Sequence, residues 1–468
     1  MAASSAGSAG SVKRQSQWAI WFFGALGGIL WGYDTGVISG AILYIPDDIP
    51  LTPLEQGTVV SGLLVGAMLG AGMSGRLADT LGRRMLILLG GVVFVIGTLG
   101  AALATTVLLL VLFRFVMGIG VGIVSVVVPM YLSELAPARI RGRLTSLMQL
   151  LVTVGIFVAY LTDFAFADAR AWRWMIGLGV IPAVVLAIGI YTQPESPRWL
   201  VAQKPDGGED DARKVLERLR GGREAAAAEL GEIKESVRVE RERSEKVALA
   251  TLFGPRLRRR ILIGMLLVFF QNFVGINTII YYAPTLLTNV GFGDTGAIGA
   301  NVGIGAVNML MTLPGMWLIE RAGRRPLLRW GAVGMCVAML VLAVVNLVGL
   351  SQGPVLLGVT LAGIVVYIAS FSISWGPVQW VLLPELFPLR VRASAVGFCV
   401  TFNWLFNMTV ALLFPSLLAI FGAGWNFLFF AVTTALAYLY ATRLLPETKG
   451  RTLEEIERDL TTPVTAKP

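Results

Sequence analysis

The chain has 468 residues, of which 56% are hydrophobic and only 14% are charged. A soluble domain carries about 25% charged residues, so this composition excludes an ordinary soluble globular protein and indicates a membrane protein. The net charge of +9 would suit nucleic-acid binding, but the arginines and lysines are concentrated in a few loops between apolar segments. That distribution is typical of membrane topology, and we therefore expect no nucleic-acid partner.

Histidine is absent, and the two cysteines, Cys336 and Cys399, both lie within apolar segments. The lack of histidine excludes Ser-His-Asp triads, histidine-based zinc sites and histidine proton relays. Two cysteines in apolar segments give no basis for a disulfide framework. No nucleophile with an activating base is recognisable. We therefore predict that the protein is not an enzyme and holds neither a metal nor a cofactor.

Apolar segments follow one another along most of the chain. A bilayer core requires about 20 residues of helix, and on this criterion we predict twelve membrane-spanning helices. They lie near residues 18–43, 57–78, 85–105, 107–132, 142–163, 173–192, 260–288, 297–319, 327–349, 354–384, 393–418 and 424–445. The first apolar segment is too long for a signal-peptide core, so we expect it to be retained as the first span.

Charged residues divide the connecting loops into two sets. The basic set contains Arg76, Arg83, Arg84, Arg139, Arg141, Arg143, Arg321, Arg324, Arg325, Arg390 and Arg392. The acidic set contains Asp47, Asp48, Glu55, Asp163, Asp168 and Asp294, with Arg170 as the main basic exception. Because basic loops stay in the cytoplasm, we predict a multi-pass cell-membrane protein whose basic loops and both termini are cytoplasmic.

One long polar segment, residues 193–259, separates two groups of six spans. Its apolar residues recur at helical spacing, which favours short amphipathic helices at the membrane surface; a disordered linker is the alternative, because glycines interrupt the pattern. The helical set is Val215, Leu216, Leu219, Leu230, Ile233 and Val237. The predicted domains are an N-terminal tail (1–17), a six-helix bundle (18–192), the linker (193–259), a second bundle (260–445) and a C-terminal tail (446–468).

The second half of the sequence repeats motifs of the first half in the same order. The matching pairs are Asp79–Arg84 with Glu320–Arg325, Glu134–Arg141 with Glu385–Arg392, and Pro194–Ser196 with Pro446–Thr448. Three matches in register indicate a duplication. Two bundles related in this way place a substrate site between them, near the middle of the bilayer.

Together these motifs resemble the sugar porter family of the major facilitator superfamily, and within it the bacterial glucose–proton symporters. The match runs from about Trp18 to Leu453 and includes Pro194–Arg198 and Pro446–Gly450. The resemblance implies an all-α membrane fold with twelve transmembrane helices in two pseudo-symmetric six-helix bundles and a cytoplasmic helical linker domain. It also implies import of a hexose, with glucose as the first candidate, by proton symport through alternating access. The implied partners are a monosaccharide, a proton and the lipid bilayer, without an obligate protein partner.

Asp34 lies deep in the first predicted span, and Arg114 lies in the fourth. Ionisable groups at mid-membrane cost about 2.5–3.5 kcal/mol on insertion scales and are therefore functional candidates. The resemblance implies that Asp34 binds the coupled proton and that Arg114 is its ion-pair partner; a static pair holding two helices is the alternative. Some proton symporters of the family add an acidic residue in the sixth helix, where this chain has Gly179.

Polar and aromatic residues inside the other spans suit a sugar. Amides offer donors and acceptors to hydroxyl groups, and tryptophan offers a ring face. The resemblance implies sugar binding by Gln149, Gln271, Asn272, Asn277, Asn308, Trp375, Asn403 and Trp404, with Asn272 replacing the usual glutamine. Tyr281 and Tyr282 match the outer gate tyrosines of the family. For any single amide, hydrogen bonding between helices is the alternative interpretation.

The loop charges also suit a cytoplasmic gate, because carboxylates and guanidinium groups on neighbouring helix ends form charge-assisted pairs. The gate residues are Asp79, Arg83, Glu134, Arg143, Glu320, Arg324, Glu385 and Arg392. In the alternative interpretation these charges only determine topology. Glycines at Gly62, Gly66 and Gly70, and between Gly118 and Gly122, predict close helix packing.

Two other functions within this class remain open at this point. A facilitator would carry sugar without protons, and Asp34 speaks against it. A sugar sensor would bind without transport, but about twenty residues follow Pro446, a shorter tail than such sensors carry. Galactose, xylose and polyols stay alternatives to glucose as the substrate.

Overall fold

The computed structural model describes residues 6–136, 141–204, 207–220, 222–242, 254, 257–348, 353–388 and 391–449. Side chains are not described for residues 6–21, 23–25, 141–146, 240–242, 354 and 393. All regular secondary structure in this part of the chain is helical.

The N-terminal half contains seven helices, two of which form a single broken span. They are α1 (Ala6–Asp48), α2 (Pro53–Leu81), α3 (Arg83–Ala102), α4 (Val107–Leu135), α5 (Arg141–Ala167), α6 (Trp172–Gly177) and α7 (Val180–Tyr191). The first helix begins well before the predicted start at Trp18. α2 begins at a capping box in which Thr52 and Glu55 bond each other's backbone N–H groups, which satisfies donors that a helix start leaves free.

The C-terminal half has the same arrangement, with two broken spans. Its helices are α11 (Arg258–Phe273), α12 (Ile276–Asn289), α13 (Asp294–Ala322), α14 (Arg324–Leu347), α15 (Pro354–Ile373), α16 (Trp375–Glu385) and α17 (Arg392–Arg443). Eleven helical stretches in the described residues are long and apolar enough to cross a membrane. The last is 50 residues long and contains non-helical Gly422 (φ 74°, ψ 172°). Divided there, it supplies two crossings and gives the twelve predicted.

The polar linker is helical over most of its described length. It forms α8 (Pro197–Gln203), α9 (Gly208–Arg220) and α10 (Arg223–Glu242). Leu216 of α9 and Leu230 of α10 are buried in a small apolar cluster with Leu200 of α8. The amphipathic helices predicted here are therefore confirmed for α9 and α10. Residues 205–206, 221, 243–253 and 255–256 of the predicted linker lie outside the described residues.

Glycine allows α2 and α4 to touch along their backbones. A Cβ atom at Gly118 would lie 1.9 Å from the Leu63 carbonyl oxygen, and one at Gly66 would lie 2.0 Å from the Phe115 carbonyl oxygen. No side chain fits at those distances, so the packing interpretation of these glycines is confirmed. Such small-residue contacts are how membrane helices approach closely.

In the described part of the chain, the most extensive contacts between the two halves are made by three helix pairs: α2 with α17, α5 with α13, and α1 with α12. The halves approach closely at Gly57, where a Cβ atom would lie 2.1 Å from the Leu412 carbonyl oxygen. We call the end of the bundle that carries Asp47, Asp48, Arg170 and Asp294 the acidic face. The opposite end, with Arg83, Glu134, Arg324 and Glu385, is the basic face.

Candidate functional site

A polar cavity lies between the two halves, lined by α1 and α5 on one side and by α11–α13 and α15–α17 on the other. It contains six of the residues predicted to bind sugar: Gln149, Gln271, Asn272, Asn277, Asn308 and Asn403. The cavity thus occupies the position at which a duplicated transporter holds its substrate site. The roles of the six side chains stay predictions.

The break in the seventh span brings two of these amides together. Gly275 has φ +100°, and a Cβ atom there would also lie 2.8 Å from the ring of Phe430, so glycine alone fits the turn. The turn separates Asn272, in α11, from Asn277, in α12. Asn277 Nδ2 donates to Asn272 Oδ1 (2.8 Å), and Asn272 Nδ2 donates to Asn403 Oδ1 (2.9 Å). Broken helices of this kind line cavities in transporters.

Several amide oxygens of the cavity have no hydrogen-bond partner within the described part of the chain. They are Gln271 Oε1, Gln379 Oε1 and Asn407 Oδ1, all buried. Gln379 Nε2 donates to Asn403 Oδ1 (3.1 Å), and Asn407 Nδ2 donates to the Tyr281 hydroxyl oxygen (3.4 Å). Because a buried acceptor without a partner is costly, these three oxygens are suited to accept hydroxyl protons from a ligand.

The tryptophan of the tenth span that faces the cavity is Trp380. Trp375, predicted for this role, is fully buried elsewhere and its Nε1 donates to the Leu328 carbonyl oxygen (3.0 Å). The two residues lie five positions apart on α16, which turns them toward different sides of the helix. The structure therefore corrects the prediction for Trp375.

Two further tryptophans lie close to Trp380. Trp31 lines the cavity, and its ring centroid lies 6.1 Å from Trp380, edge to face, and 5.5 Å from Trp404. Trp404, predicted to bind sugar, is itself buried against Trp31 and does not line the cavity. Trp31 belongs to the N-terminal half and the other two to the C-terminal half, so the three rings connect the halves beside the cavity.

Sequence reasoning missed Trp31, Gln379, Trp380 and Asn407. Helical spacing would have found some of them, since Asn407 lies one turn after the predicted Asn403 and Trp31 lies one turn before the predicted Asp34. For Trp380 no spacing rule was sufficient, because the break before α16 sets the rotation of that helix. Ser374, with φ −121° and ψ −87°, forms this break.

Asp34 and Arg114 form a buried ion pair. Arg114 Nη1 lies 3.1 Å from Asp34 Oδ1, and both residues are 1% exposed. Arg114 Nε also donates to the Val59 carbonyl oxygen (3.3 Å), while Asp34 Oδ2 has no partner in the described part. Thr35, the next residue, lines the cavity. A buried pair is costly to break, because the remaining charge is uncompensated, so a change at Asp34 would act directly on the cavity wall and on α4.

Gly179, at the position where some family members carry an acid, lies against Tyr33. A Cβ atom at Gly179 would be 3.2 Å from the Tyr33 ring, and the Tyr33 hydroxyl donates to the Met175 carbonyl oxygen (2.8 Å). Tyr33, the residue before Asp34, therefore fills the space beside Gly179.

At the basic face, three of the predicted gate residues of the first half form a cluster within that half. Arg83 Nε lies 3.1 Å from Glu134 Oε2 and its Nη1 lies 3.4 Å from Asp79 Oδ1. Glu134 also accepts a short hydrogen bond from Ser196 Oγ. Glu195 accepts the backbone N–H groups at the start of α3, where an anion is favoured. Burial raises the pKa of Glu195, although these hydrogen bonds favour its charged form.

The second half contains the same cluster. Arg324 Nη2 lies 2.9 Å from Glu385 Oε1, Thr448 Oγ1 donates to Glu385 Oε2 (2.6 Å), and Glu447 accepts the N–H group of Arg324 (3.1 Å). Arg392 Nε donates to the Phe387 carbonyl oxygen of its own loop (3.2 Å).

Two predicted gate residues, Glu320 and Arg143, are not part of these clusters as described. Glu320 is exposed, and the side chain of Arg143 lies outside the described residues. The ion pairs described for the other gate residues each lie within one half, so in this conformation they do not join the halves as the gate hypothesis expects.

The acidic face, in contrast, has an ion pair between the halves. Arg170 Nη1 lies 3.0 Å from Asp47 Oδ2 of the same half, and its Nη2 lies 3.1 Å from Asp294 Oδ2 of the other half. Deeper in the molecule, Asn301 Nδ2 donates to Ser39 Oγ (3.0 Å), again across the halves. The acidic face is therefore closed in this conformation.

The predicted outer gate tyrosines lie on the side of the cavity that faces the acidic face. Tyr281 lines the cavity. The hydroxyl of Tyr282 donates to the Ala411 carbonyl oxygen (2.9 Å), and Tyr160 of the other half donates to the Ile280 carbonyl oxygen (3.0 Å). The first part of α12 is therefore held against both α17 and α5.

Comparison with known proteins agrees with this architecture. Residues 20–460 match the family model described as sugar (and other) transporter. The chain is 47% identical to the putative metabolite transport protein YwtG of Bacillus subtilis, over 96% of each chain. It is 42% identical to the glucose transporter GlcP of Staphylococcus epidermidis, over 96% of this chain and 98% of GlcP.

A solved structure has the same fold. The proton:xylose symporter XylE, bound to 6-bromo-6-deoxy-D-glucose, superposes with a TM-score of 0.77 at 32% identity, covering 96% of this chain and 100% of that chain. XylE is a major facilitator superfamily protein, so the predicted all-α fold of two six-helix bundles is confirmed. The family is one of membrane transporters and not of enzymes. The cavity between duplicated halves, the family match and the shared fold together lead to one conclusion: this chain belongs to the sugar (and other) transporter family.

Proposed function

We propose that this protein imports a hexose, with glucose as the first candidate, together with a proton by alternating access. The observation that carries the proposal is the buried ion pair of Asp34 with Arg114, next in sequence to Thr35, which lines an amide-rich cavity. The similarity to a glucose transporter and to a proton:xylose symporter supports the same class of substrate and the same coupling ion.

A hexose fits the chemistry of the cavity. Gln271, Gln379 and Asn407 offer buried acceptor oxygens, and the amide nitrogen of Gln149, at the α5 wall, offers donors from the opposite half. Trp380 supplies an aromatic face for the C–H side of a pyranose. A sugar held by both halves stabilises their closure around it, which is the step that alternating access requires.

Proton coupling uses the charge of Asp34. When Asp34 is ionised, its attraction to Arg114 holds α1 against α4. Protonation removes that attraction, and among the described residues Arg114 keeps its bond to the Val59 carbonyl oxygen. The loss of the pair changes the relative stability of the conformations that bury or expose the cavity, so sugar movement follows proton binding.

The basic face is the cytoplasmic one in this proposal, and the protein lies in the cell membrane. An even number of crossings brings both termini to the same side. Arginines in the basic loops hold that side in the cytoplasm. Residues 18–192 and 260–445 form the two moving bundles, and 193–259 connects them.

The test is uptake of radiolabelled sugar into proteoliposomes, with and without an imposed proton gradient, against competing glucose, galactose, xylose and polyols. We expect accumulation above the external concentration only when the gradient is directed inward, and the strongest competition from glucose. Uptake that is indifferent to the gradient would identify a facilitator. Sugar binding without any uptake would identify a sensor.

A further inference from the structure

Asp163, in the acidic half of α5, is a second buried carboxyl group that proton coupling through Asp34 does not use. Its residue is 0% exposed. One oxygen, Oδ2, accepts the backbone N–H group of Gly40 in α1 (3.1 Å), and the other, Oδ1, has no hydrogen-bond partner in the described part of the chain. Among the ion pairs described there, none includes Asp163, whereas Asp34 pairs with Arg114.

The carboxyl group is pressed against the α1 backbone. A Cβ atom at Gly40 would lie 2.5 Å from both Cγ and Oδ2 of Asp163, so α1 leaves no room between them. Burying an ionised carboxylate costs several kcal/mol, and in the described part of the chain one backbone hydrogen bond, from Gly40, is set against that cost without a cation. The protonated form carries no charge, and its O–H group is a donor.

The ionisable groups around Asp163 do not supply a counter-charge. Its electrostatic neighbours are Tyr33 of α1 and Tyr160 of α5 itself. The charged residues on the helices around it are engaged elsewhere: Arg173 of α6 with Asp48, Asp294 of α13 with Arg170, and Arg114 of α4 with Asp34.

The position of Asp163 connects it to closure of the acidic face. Gly40, its hydrogen-bond partner, follows Ser39, which accepts a hydrogen bond from Asn301 of the other half. One turn before Asp163, Tyr160 donates to Ile280, also of the other half. Two contacts between the halves therefore lie beside this carboxyl group, and their separation would admit water to it.

We propose that Asp163 is a second proton-binding site, separate from Asp34, which holds its proton while the acidic face is closed and exchanges it with water when that face opens. On opening, the carboxyl O–H bond breaks and the proton passes to water; on closing, the carboxylate takes a proton back from the same side. Asp163 thus makes closure of the acidic face depend on pH. The role of Asp163 in sugar transport rests on the proposed function, but its protonation does not.

Infrared spectroscopy of the purified full-length protein at neutral pH tests the protonation state directly. We expect a protonated-carboxyl band that persists in Asp34→Asn and in the exposed-residue control Asp210→Asn, and that is lost in Asp163→Asn. Asp163→Glu keeps a carboxyl group, so we expect it to shift the band. This variant replaces Asp163→Asn in the test if Asp163→Asn does not fold. A spectrum of Asp163→Asn with the band undiminished would overturn the proposal, and so would the absence of the band from the wild type.

Sugar exchange across the membrane tests the consequence in a background without the first site. In Asp34→Asn, we expect sugar exchange to fall as the pH rises and Asp163 ionises, by up to about tenfold per pH unit. In the double variant Asp34→Asn/Asp163→Asn, we expect sugar exchange to be independent of pH. Exchange that is already independent of pH in Asp34→Asn would overturn the proposal. If uptake by the wild-type protein does not respond to a proton gradient, symport is refuted. The infrared spectra would still show whether Asp163 is protonated.

Discussion

The acidic and basic faces hold their charges in different ways. At the acidic face, Arg170 pairs with Asp47 of its own half and with Asp294 of the other. At the basic face, the Glu134 pair and the Glu385 pair each lie inside one half. The first arrangement joins the halves and the second stiffens each half separately. A charged motif repeated in both halves therefore does not by itself indicate a contact between them.

Duplication explains the difference. The basic-face cluster is present in both halves because both copies kept its sequence. By the spacing of the repeated motifs, Arg170 corresponds to Gly422, and both residues have a positive φ, 49° and 74°. Glycine adopts this conformation at little cost, whereas for arginine it is uncommon. The residue with this uncommon conformation also makes an ion pair between the halves.

The largest effect is expected between the two faces, at Asp34. Asp34→Asn should abolish accumulation against a gradient while exchange of sugar persists, because an amide cannot titrate. The measurement is gradient-driven uptake beside counterflow in the same proteoliposomes, with Asp210→Asn as a matched control. Continued accumulation by Asp34→Asn would mean that the coupling site lies elsewhere.

The next effect concerns sugar affinity in the cavity that both faces enclose. Gln149→Ala, Gln271→Ala and Trp380→Ala should each weaken sugar binding by about 1–3 kcal/mol, because sugar groups lose their partners. Trp375→Ala is the matched control, since that ring does not reach the cavity. Binding and membrane abundance are measured together. Unchanged affinity in both glutamine variants would show that the sugar binds elsewhere.

A smaller effect should follow from opening the acidic face. Arg170→Ala removes two half-exposed pairs, of which only the pair with Asp294 joins the halves. An exposed pair is worth about 0–1 kcal/mol, so the population open at this face should rise by up to about fivefold. Cysteine labelling from each side, with Cys336 and Cys399 replaced, reports that population. Arg173→Ala is the control, because its pair with Asp48 stays inside one half. An equal shift in both variants would remove the special role of Arg170.

The smallest shift is expected at the basic face. Glu134→Gln with Glu385→Gln breaks pairs that lie within the halves, so the same labelling ratio should change less than in Arg170→Ala. Stability of the protein to heat should fall instead, because both carboxylates bond a neighbouring arginine and hydroxyl group. A labelling shift as large as that of Arg170→Ala would restore the interpretation of these residues as a staple between the halves.

The local features of this protein could be predicted from its sequence. Hydropathy identified the spans, since any helix of about 20 apolar residues suits a bilayer. Six of the cavity amides were found because polar side chains stand out in apolar helices, whereas Gln379 and Asn407 were missed. Trp375 and Trp380 lie in the same apolar helix. The sequence does not state how that helix is rotated, so it does not show which of the two rings faces the cavity.

The sequence by itself determined that the chain is a duplicated membrane transporter with an acid in its first span, because composition, helical period and repeated motifs are local properties of the chain. Only the tertiary structure decided that Trp380 enters the cavity, that Asp163 is buried against Gly40, and that Arg170 joins the halves. These contacts depend on helix rotation, on the breaks at Gly275 and Ser374, and on the relative position of the halves. All three arise from packing between residues far apart in sequence.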